Sequence, residues 1–355
     1  MNYKNLFIIS TLSIFSIAYS KMSLALTRYV VGGNGGYLIN LSSMGAAINE
    51  VPSIGSDGNK YYLIGPNKQK ITITQETALS YGTAKCFGNY LSGNYTNGLS
   101  QNLAYHRVIS YTPKANFSIN GLAVYIVNSN TFFTLNSDNG ITKGWQNIPA
   151  FICSDQGLGY ENPSASLFTV QFPFDITFYV KNIPLDGKII VPSSVIAGYT
   201  RVFQDDGLPN YYIPIDKSTV KLELANSVVS YPTSCNSNID NLNIDHKTLD
   251  STNFDNIATR VVSYNCNPPL SEIPIKFTLD YVTDADPLKR VPLKSGIQTI
   301  YSELKIYDEQ TGQSGKSIET TISSMKNIRV ESHISGTNVE PGVYSGNAWL
   351  IATYL

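Results

Sequence analysis

The chain has 355 residues, a net charge of −1 and 14 % charged residues, well below the roughly 25 % usual in soluble proteins. With no basic run, nothing in it suggests nucleic-acid binding. The length allows two domains with full cores, and the 24 tyrosines, set among Gly, Ser, Thr and Asn, favour β-structure with many turns.

The first 25 residues read as a secretory signal. Lys4 gives a basic start, Leu6 to Ala18 a short apolar run, and Ser23-Leu24-Ala25 a small-x-small cleavage site, with cleavage after Ser20 as the alternative. That run is too short for a comfortable transmembrane helix, and no later stretch is long and apolar enough to span a membrane. In an exported chain, an even set of four cysteines suggests two disulfides, most simply Cys86–Cys153 and Cys235–Cys266. No Cys-x-x-Cys occurs and the histidines, His106, His246 and His333, stand alone, which argues against a zinc site.

Candidate strands follow in order. Thr27–Val31 ends in Gly-Gly-Asn-Gly-Gly, and Lys70–Thr74 comes next. Leu122–Val127 and Phe132–Leu135 flank the loop Asn128-Ser129-Asn130-Thr131. Phe168–Val180 continues into Lys188–Val191 after an Asp186-Gly187 turn. No long segment of helical period occurs, so helices are expected to be few and short. Near Asp205–Lys217 the composition turns to Asp, Gly, Pro and Asn, and a boundary is placed at Asp216, giving domains 26–216 and 217–355.

The second half alternates more cleanly, at Ile273 to Tyr281, Glu303 to Tyr307 and Ile328 to Ile334, as in an antiparallel sandwich. His333 falls on the polar face of the last of these. The last stretch opens with Pro341-Gly342 and Ser345-Gly346 turns. It then places Ala348, Leu350, Ala352 and Tyr354 on one face and Trp349, Ile351 and Leu355 on the other. Both faces are mostly apolar, as in a strand buried on both sides, so the terminus is expected to be built into a sheet. Patterning alone is equally consistent with a complete sandwich and with an open one.

Gly342, Tyr344, Ala348 and the penultimate Tyr354 resemble the C-terminal signature of chaperone–usher pilins. Pro232-Thr233-Ser234-Cys235 and Val261-Val262-Ser263-Tyr264-Asn265-Cys266 lie at pilin-like distances before it. With a signal peptide and a large N-terminal β domain, the chain resembles a two-domain fimbrial tip adhesin, nearest the N-acetylglucosamine-binding fimbrial lectins. Lys188-Ile189-Ile190-Val191-Pro192-Ser193 is also similar to the late strands of the mannose-binding type 1 tip adhesin. The resemblance implies an all-β chain of two immunoglobulin-like antiparallel sandwiches. The C-terminal one is then an incomplete pilin fold that needs a donor strand from an adjacent pilin subunit. It implies a periplasmic chaperone, which holds the chain end at Tyr354 and Leu355, an outer-membrane usher, and a place at the fimbrial tip on the bacterial surface. It also implies that the N-terminal domain binds a host glycan or glycoprotein, with no cofactor or metal.

A sugar site combines an aromatic face with polar groups. Two segments could supply it: Asn128, Ser129, Asn130 and Thr131, and the surroundings of the second cysteine, Trp145, Asp155 and Gln156. Gln156-Gly157 and Asn130-Thr131 resemble elements of the N-acetylglucosamine lectins, whereas Ile152 stands where those lectins carry a Trp. Trp145 reads more readily as a core residue near the disulfide than as a ligand contact, and Asn128 and Asp155 read also as turn residues. There is no Gly-x-Ser-x-Gly elbow, no zinc motif and no signalled partner for His106, so no enzyme is expected. The rival to a lectin is a structural or protein-binding tip subunit.

Overall fold

The computed structural model describes residues 27–86, 100–154, 162–231, 234–267 and 272–355. The signal segment, Asp155, Gln156 and Pro232-Thr233 lie outside these. The described residues are almost entirely β, with three 3-10 turns at Gln101–Leu103, Ala165–Leu167 and Ile215–Lys217. They include no helix long and apolar enough to cross a membrane.

The first half is two sheets packed face to face. One runs through Gln146–Asn147, Ala104–Ser110, Ser194–Gln204, Val220–Leu224, Gly36–Ile39 and Ser80–Tyr81, with Thr27–Gly32 also against Ser194–Gln204. The other includes Lys114–Ile119, Leu122–Ile126, Thr131–Ser137, Phe174–Val180, Lys60–Pro66 and Ala46–Ile48. Asn120-Gly121 joins two of these strands as a two-residue hairpin, both residues with positive φ (51° and 75°), the conformation that a tight hairpin needs and that Asn and Gly tolerate. Val30, Tyr37, Tyr199, Phe203, Phe133, Phe168 and Phe178 meet between the sheets and are fully buried or nearly so.

The longest strand of this half, Ser194–Gln204, lies at the centre of its sheet, paired with both Thr27–Gly32 and Ala104–Ser110. Nine consecutive residues of it are buried, so it shows no alternation that sequence reading could detect. Lys188–Val191 does not form a hairpin with Phe174–Val180; it pairs with Ser227–Ser230. Val220–Leu224 pairs with Ser194–Gln204 and, in parallel, with Gly36–Ile39. The sheets of the first half therefore run on past Asp216 to Ser230.

The second half is a sandwich of a six-stranded sheet and a smaller one of three strands, to whose edge Ile183–Pro184 of the first half adds a fourth. Asn253–Asn267, Met325–Thr337 and Gln298–Asp308 form the centre of the larger sheet, while Ile273–Asp280 and Ser317–Ile322 belong to the smaller. Both sequential disulfides form, Cys86–Cys153 and Cys235–Cys266. His333 lies on the outward face, 2.6 Å from Asp255 Oδ1.

The terminal strand, Trp349–Tyr354, pairs along its length with Ile273–Asp280. Its burial is one-sided, unlike the two-sided burial expected from its composition. Tyr354 is buried, but Trp349 is 57 % and Ile351 43 % exposed. The chain ahead of it is pinned by paired backbone bonds between Lys294 and Ser345 (2.8 and 3.1 Å). A Cβ on Gly346 would lie 2.5 Å from the Pro292 carbonyl, so this close approach requires glycine.

One ion pair is sealed in the second sandwich. Lys326 Nζ lies 2.6 Å from Asp308 Oδ2, and both side chains are at most 2 % exposed. Thr320 and Thr311 hydroxyls and the Gln310 N–H also donate to this carboxylate, and Lys326 donates further to Gln310 Oε1. Burial alone would raise the Asp308 pKa; the donors, Lys326 foremost, hold it down at about 2. Removing one partner leaves the other charge buried without compensation. Lys326→Met is therefore expected to cost about 3–5 kcal/mol in urea denaturation, and Lys326→Met with Asp308→Leu to recover most of that loss. A single variant as stable as the parent would show that the pair does not clamp this sheet.

Candidate binding face and assembly edge

The loop Asn128–Thr131 is spent on its own backbone. Asn128 Oδ1 accepts from the N–H groups of Asn130 (2.8 Å) and Thr131 (2.7 Å), an Asx turn. The Asn130 side chain exchanges two bonds with the Asn182 backbone, donating at 2.8 Å and accepting at 2.7 Å. Thr131 is buried and Ser129 alone is exposed. The loop adjoins Lys181-Asn182 and hence the end of the domain that meets the second half.

Trp145 lies elsewhere. The strand Thr131–Ser137, paired in the second sheet, lies between the two segments in the chain. Trp145 precedes Gln146–Asn147, which pairs with His106 and Tyr105 in the other sheet. Trp145 and the loop are thus carried by different sheets, and Asp155 and Gln156 lie outside the described residues. Trp145 is half-buried, with the Arg107 guanidinium carbon 5.9 Å from its ring centroid.

Behind Trp145 a polar chain holds the segment that bears Cys153. His106 is fully buried, with Nε2 2.8 Å from the Ile148 carbonyl and Nδ1 2.6 Å from the Tyr199 hydroxyl. A carbonyl only accepts, so Nε2 carries the proton and Nδ1 accepts from Tyr199. Arg201 Nε donates to the Tyr199 oxygen (3.2 Å) and its Nη1 to the Ile152 carbonyl (3.0 Å). Arg28 Nη1 donates to the Cys153 carbonyl (3.0 Å). Three of these bonds end on backbone carbonyls, at Ile148, Ile152 and Cys153, so His106 and the two arginines position this segment. Sequence gave no sign of it because the partners are 42 and 93 positions away.

A shallow cavity of about 360 Å³ opens among Met44, Gln69, Lys70, Thr72 and Thr77. Its charge is already matched, since Lys70 Nζ (2.5 Å) and Thr72 Oγ1 (2.6 Å) both bond Asp175. Among the described residues no cluster of three or more His, Cys, Asp or Glu could hold a metal.

At the assembly edge, Tyr354 is buried, its hydroxyl 3.4 Å from the Leu185 carbonyl, to which it donates, and 3.5 Å from Cys235 Sγ. Its ring packs on Tyr231, centroids 5.3 Å apart. The Leu355 N–H donates to the Pro274 carbonyl (3.0 Å). On its other side the terminal strand meets only Ile183–Pro184, opposite Tyr354 and Thr353, with one further bond from Leu185 N–H to the Ala352 carbonyl. No strand among the described residues lies beside Trp349–Ile351 on that edge. Backbone groups of alternate residues share an edge, so those of Leu350, like Ala352, point to the open side.

Residues 235–355 match the family described as fimbrial adhesin MrpH C-terminal domain. The C-terminal third of the chain therefore carries a fimbrial-adhesin domain of that family. No curated protein sequence matches the chain. Among solved structures it is similar to CfaE, the adhesive subunit of CFA/I fimbria of enterotoxigenic Escherichia coli. The identity is 10 %, over 91 % of this chain and 86 % of that one, with a TM-score of 0.20. It is also similar to the CsuC–CsuE chaperone–tip adhesion subunit complex of Acinetobacter baumannii, at 10 %, 85 %, 95 % and 0.25 respectively. The CupB6 tip adhesin of Pseudomonas aeruginosa gives 12 %, 91 %, 95 % and 0.24. At these TM-scores no residue correspondence follows, and the assignment rests on the family match over residues 235–355.

Burial, helped by the nearby Arg201 charge, pushes the His106 pKa down to about 3. In the unfolded chain the group titrates near 6.5. The unfolded state thus binds the extra proton between those values, so the stabilising effect of neutral His106 is complete above pH ~6.5 and is lost as pH falls toward ~3. Thermal unfolding followed from pH 7 to 4 should show this decline, and His106→Gln should flatten it. An equal slope in the variant would place the titration elsewhere.

Proposed function

We propose that the chain is a two-domain adhesin carried at a fimbrial tip. Its N-terminal domain, residues 26–231, recognises a glycan or glycoprotein on a host cell. Its C-terminal domain, residues 234–355, joins the pilus by accepting a strand from the neighbouring subunit. The seam falls at Tyr231–Ser234, since the first-half sheets extend to Ser230 and the family match begins at Cys235.

The carrying observation is the open edge beside Trp349–Ile351 in the domain that belongs to the adhesin family. An unpaired edge flanked by exposed Trp349 and Ile351 is a template for another chain. A strand added there completes the sandwich and covers its apolar side chains, the mode known as β-augmentation. In the periplasm a chaperone provides that strand before the neighbouring subunit does, and the usher then passes the subunit to the surface. The first domain, with its own core and disulfide, is larger than a donor-strand subunit needs, which favours receptor recognition over a purely structural role.

Hydrogen–deuterium exchange of the chain with its cognate chaperone, and again in the assembled pilus, tests the assembly step. The Leu350 amide is expected to be protected in both states and to exchange rapidly when the strand partner is stripped away. Equal protection with and without a partner would mean that the edge is already closed. A glycan array probed with the chaperone-bound full chain tests recognition. Reproducible binding to one sugar class supports the lectin reading, and a folded chain with no hits leaves a protein receptor or a structural tip role.

A further inference from the structure

On the outer face of the first sheet, Trp145, Arg107 and Thr200 form a row across three adjacent strands. Arg107 and Thr200 are directly paired in register, and Trp145 stands one position before Gln146, whose partner is His106. Two polar atoms in this row are buried without a hydrogen-bond partner, Arg107 Nε and Trp145 Nε1, while the fully buried Thr200 hydroxyl faces the Tyr111 side chain. Such atoms are rare in folded proteins and call for an explanation. Both are donors. Among the described residues the Arg107 guanidinium makes no hydrogen bond and no ion pair, although it is only half-buried, over the only Trp of this domain.

The face continues along the same strand. Ile109 and Tyr111 point the same way as Arg107 and are half-buried, and Tyr111 meets the exposed Tyr212, centroids 6.4 Å apart. The strip from Arg107 to Tyr111 is about 13 Å long at ~3.3 Å per residue. It therefore presents a cation and unused donors at one end and aromatic or apolar side chains along its length.

We propose that this strip is the receptor site and that its ligand is a saccharide bearing a carboxylate, a sialic or hexuronic acid residue. The inference rests on the lectin reading above and names the ligand class for it. A neutral sugar needs no cation, and an anionic peptide would not use a flat aromatic strip as a ring of C–H groups does. The carboxylate meets the Arg107 guanidinium, which can clamp it with two parallel bonds, and its ring lies against Trp145. Asn128–Thr131 takes no part, because its polar atoms are spent on its own turn and on Asn182.

The test uses the full chain with its chaperone and isothermal titration calorimetry. The probes are 3′-sialyllactose, a glucuronate-terminated disaccharide, and lactose as the uncharged control. At least one acidic probe is expected to bind at least tenfold more tightly than lactose. Arg107→Gln should abolish that preference, Arg107→Lys should restore part of it, and Asn130→Ala should leave it intact. Unchanged melting temperature and disulfide content of the variants separate lost contact from lost fold. Preference for lactose, or acidic binding unaffected by Arg107→Gln, overturns the site while leaving a lectin. Absence of binding to any probe, together with an empty glycan array, overturns the inference along with the lectin reading it rests on.

Discussion

The architecture turns on the outer edge of the terminal strand. Its inner edge is fully paired with Ile273–Asp280, so the smaller sheet of the second sandwich is set. Its outer edge is held for only two residue pairs, by Ile183–Pro184 of the first half. Tyr354 draws these parts together: its hydroxyl reaches Leu185, its ring lies on Tyr231 at the seam, and it abuts the Cys235–Cys266 disulfide. Deleting a buried aromatic of this kind removes about 3–5 kcal/mol of packing. Here that loss would fall on the contact between the two halves as well as on one core.

The first half solves a different problem, that of fixing a segment without regular structure. Residues 148–154 pair with no strand beyond Gln146–Asn147, so their backbone groups need partners from the core. Arg201, Tyr199, His106 and Arg28 provide them, in one chain of directed bonds that ends at Ile148, Ile152 and Cys153. Two buried arginines are tolerable because carbonyl dipoles and the Phe168 ring, 4.7 Å from Arg201, replace their water. The disulfide then ties the same segment to Ala84–Cys86. With the segment fixed, the sheet's opposite face is free to carry the Arg107 row.

What the sequence made legible follows from the range of each signal. Alternation marked Ile273–Asp280 and Met325–Thr337, each buried on one face only, and the cysteines paired as nearest neighbours in sequence. Ser194–Gln204 was invisible because both its faces are covered, and with it went the order of the central sheet. A change in composition near Asp205–Lys217 marked a surface crossing rather than a seam, since the strands on either side of it pair with each other. At the candidate site, loop composition singled out Asn128 and Asn130, whose polar atoms turn out to close a turn and bind Asn182. Arg107 carried no signal, because it reads as one polar residue in a strand; only the register against Thr200 and Trp145 reveals that its donors are unused.

The two ends of the molecule also constrain each other. Ile183 and Pro184 occupy the outer edge opposite Tyr354 and Thr353, so a strand added along that edge has free backbone only from Ile351 backward. A longer complementing strand has to displace Ile183–Leu185, and with it the Leu185 bonds to Ala352 and Tyr354. Those residues lead directly from Phe174–Val180, the strand that pairs with Thr131–Ser137 and Lys60–Pro66 in the first-half core. An incoming strand that stopped at Ile351 would leave these contacts in place, whereas one that ran further would have to compete with Ile183–Leu185 for the same row of backbone hydrogen bonds.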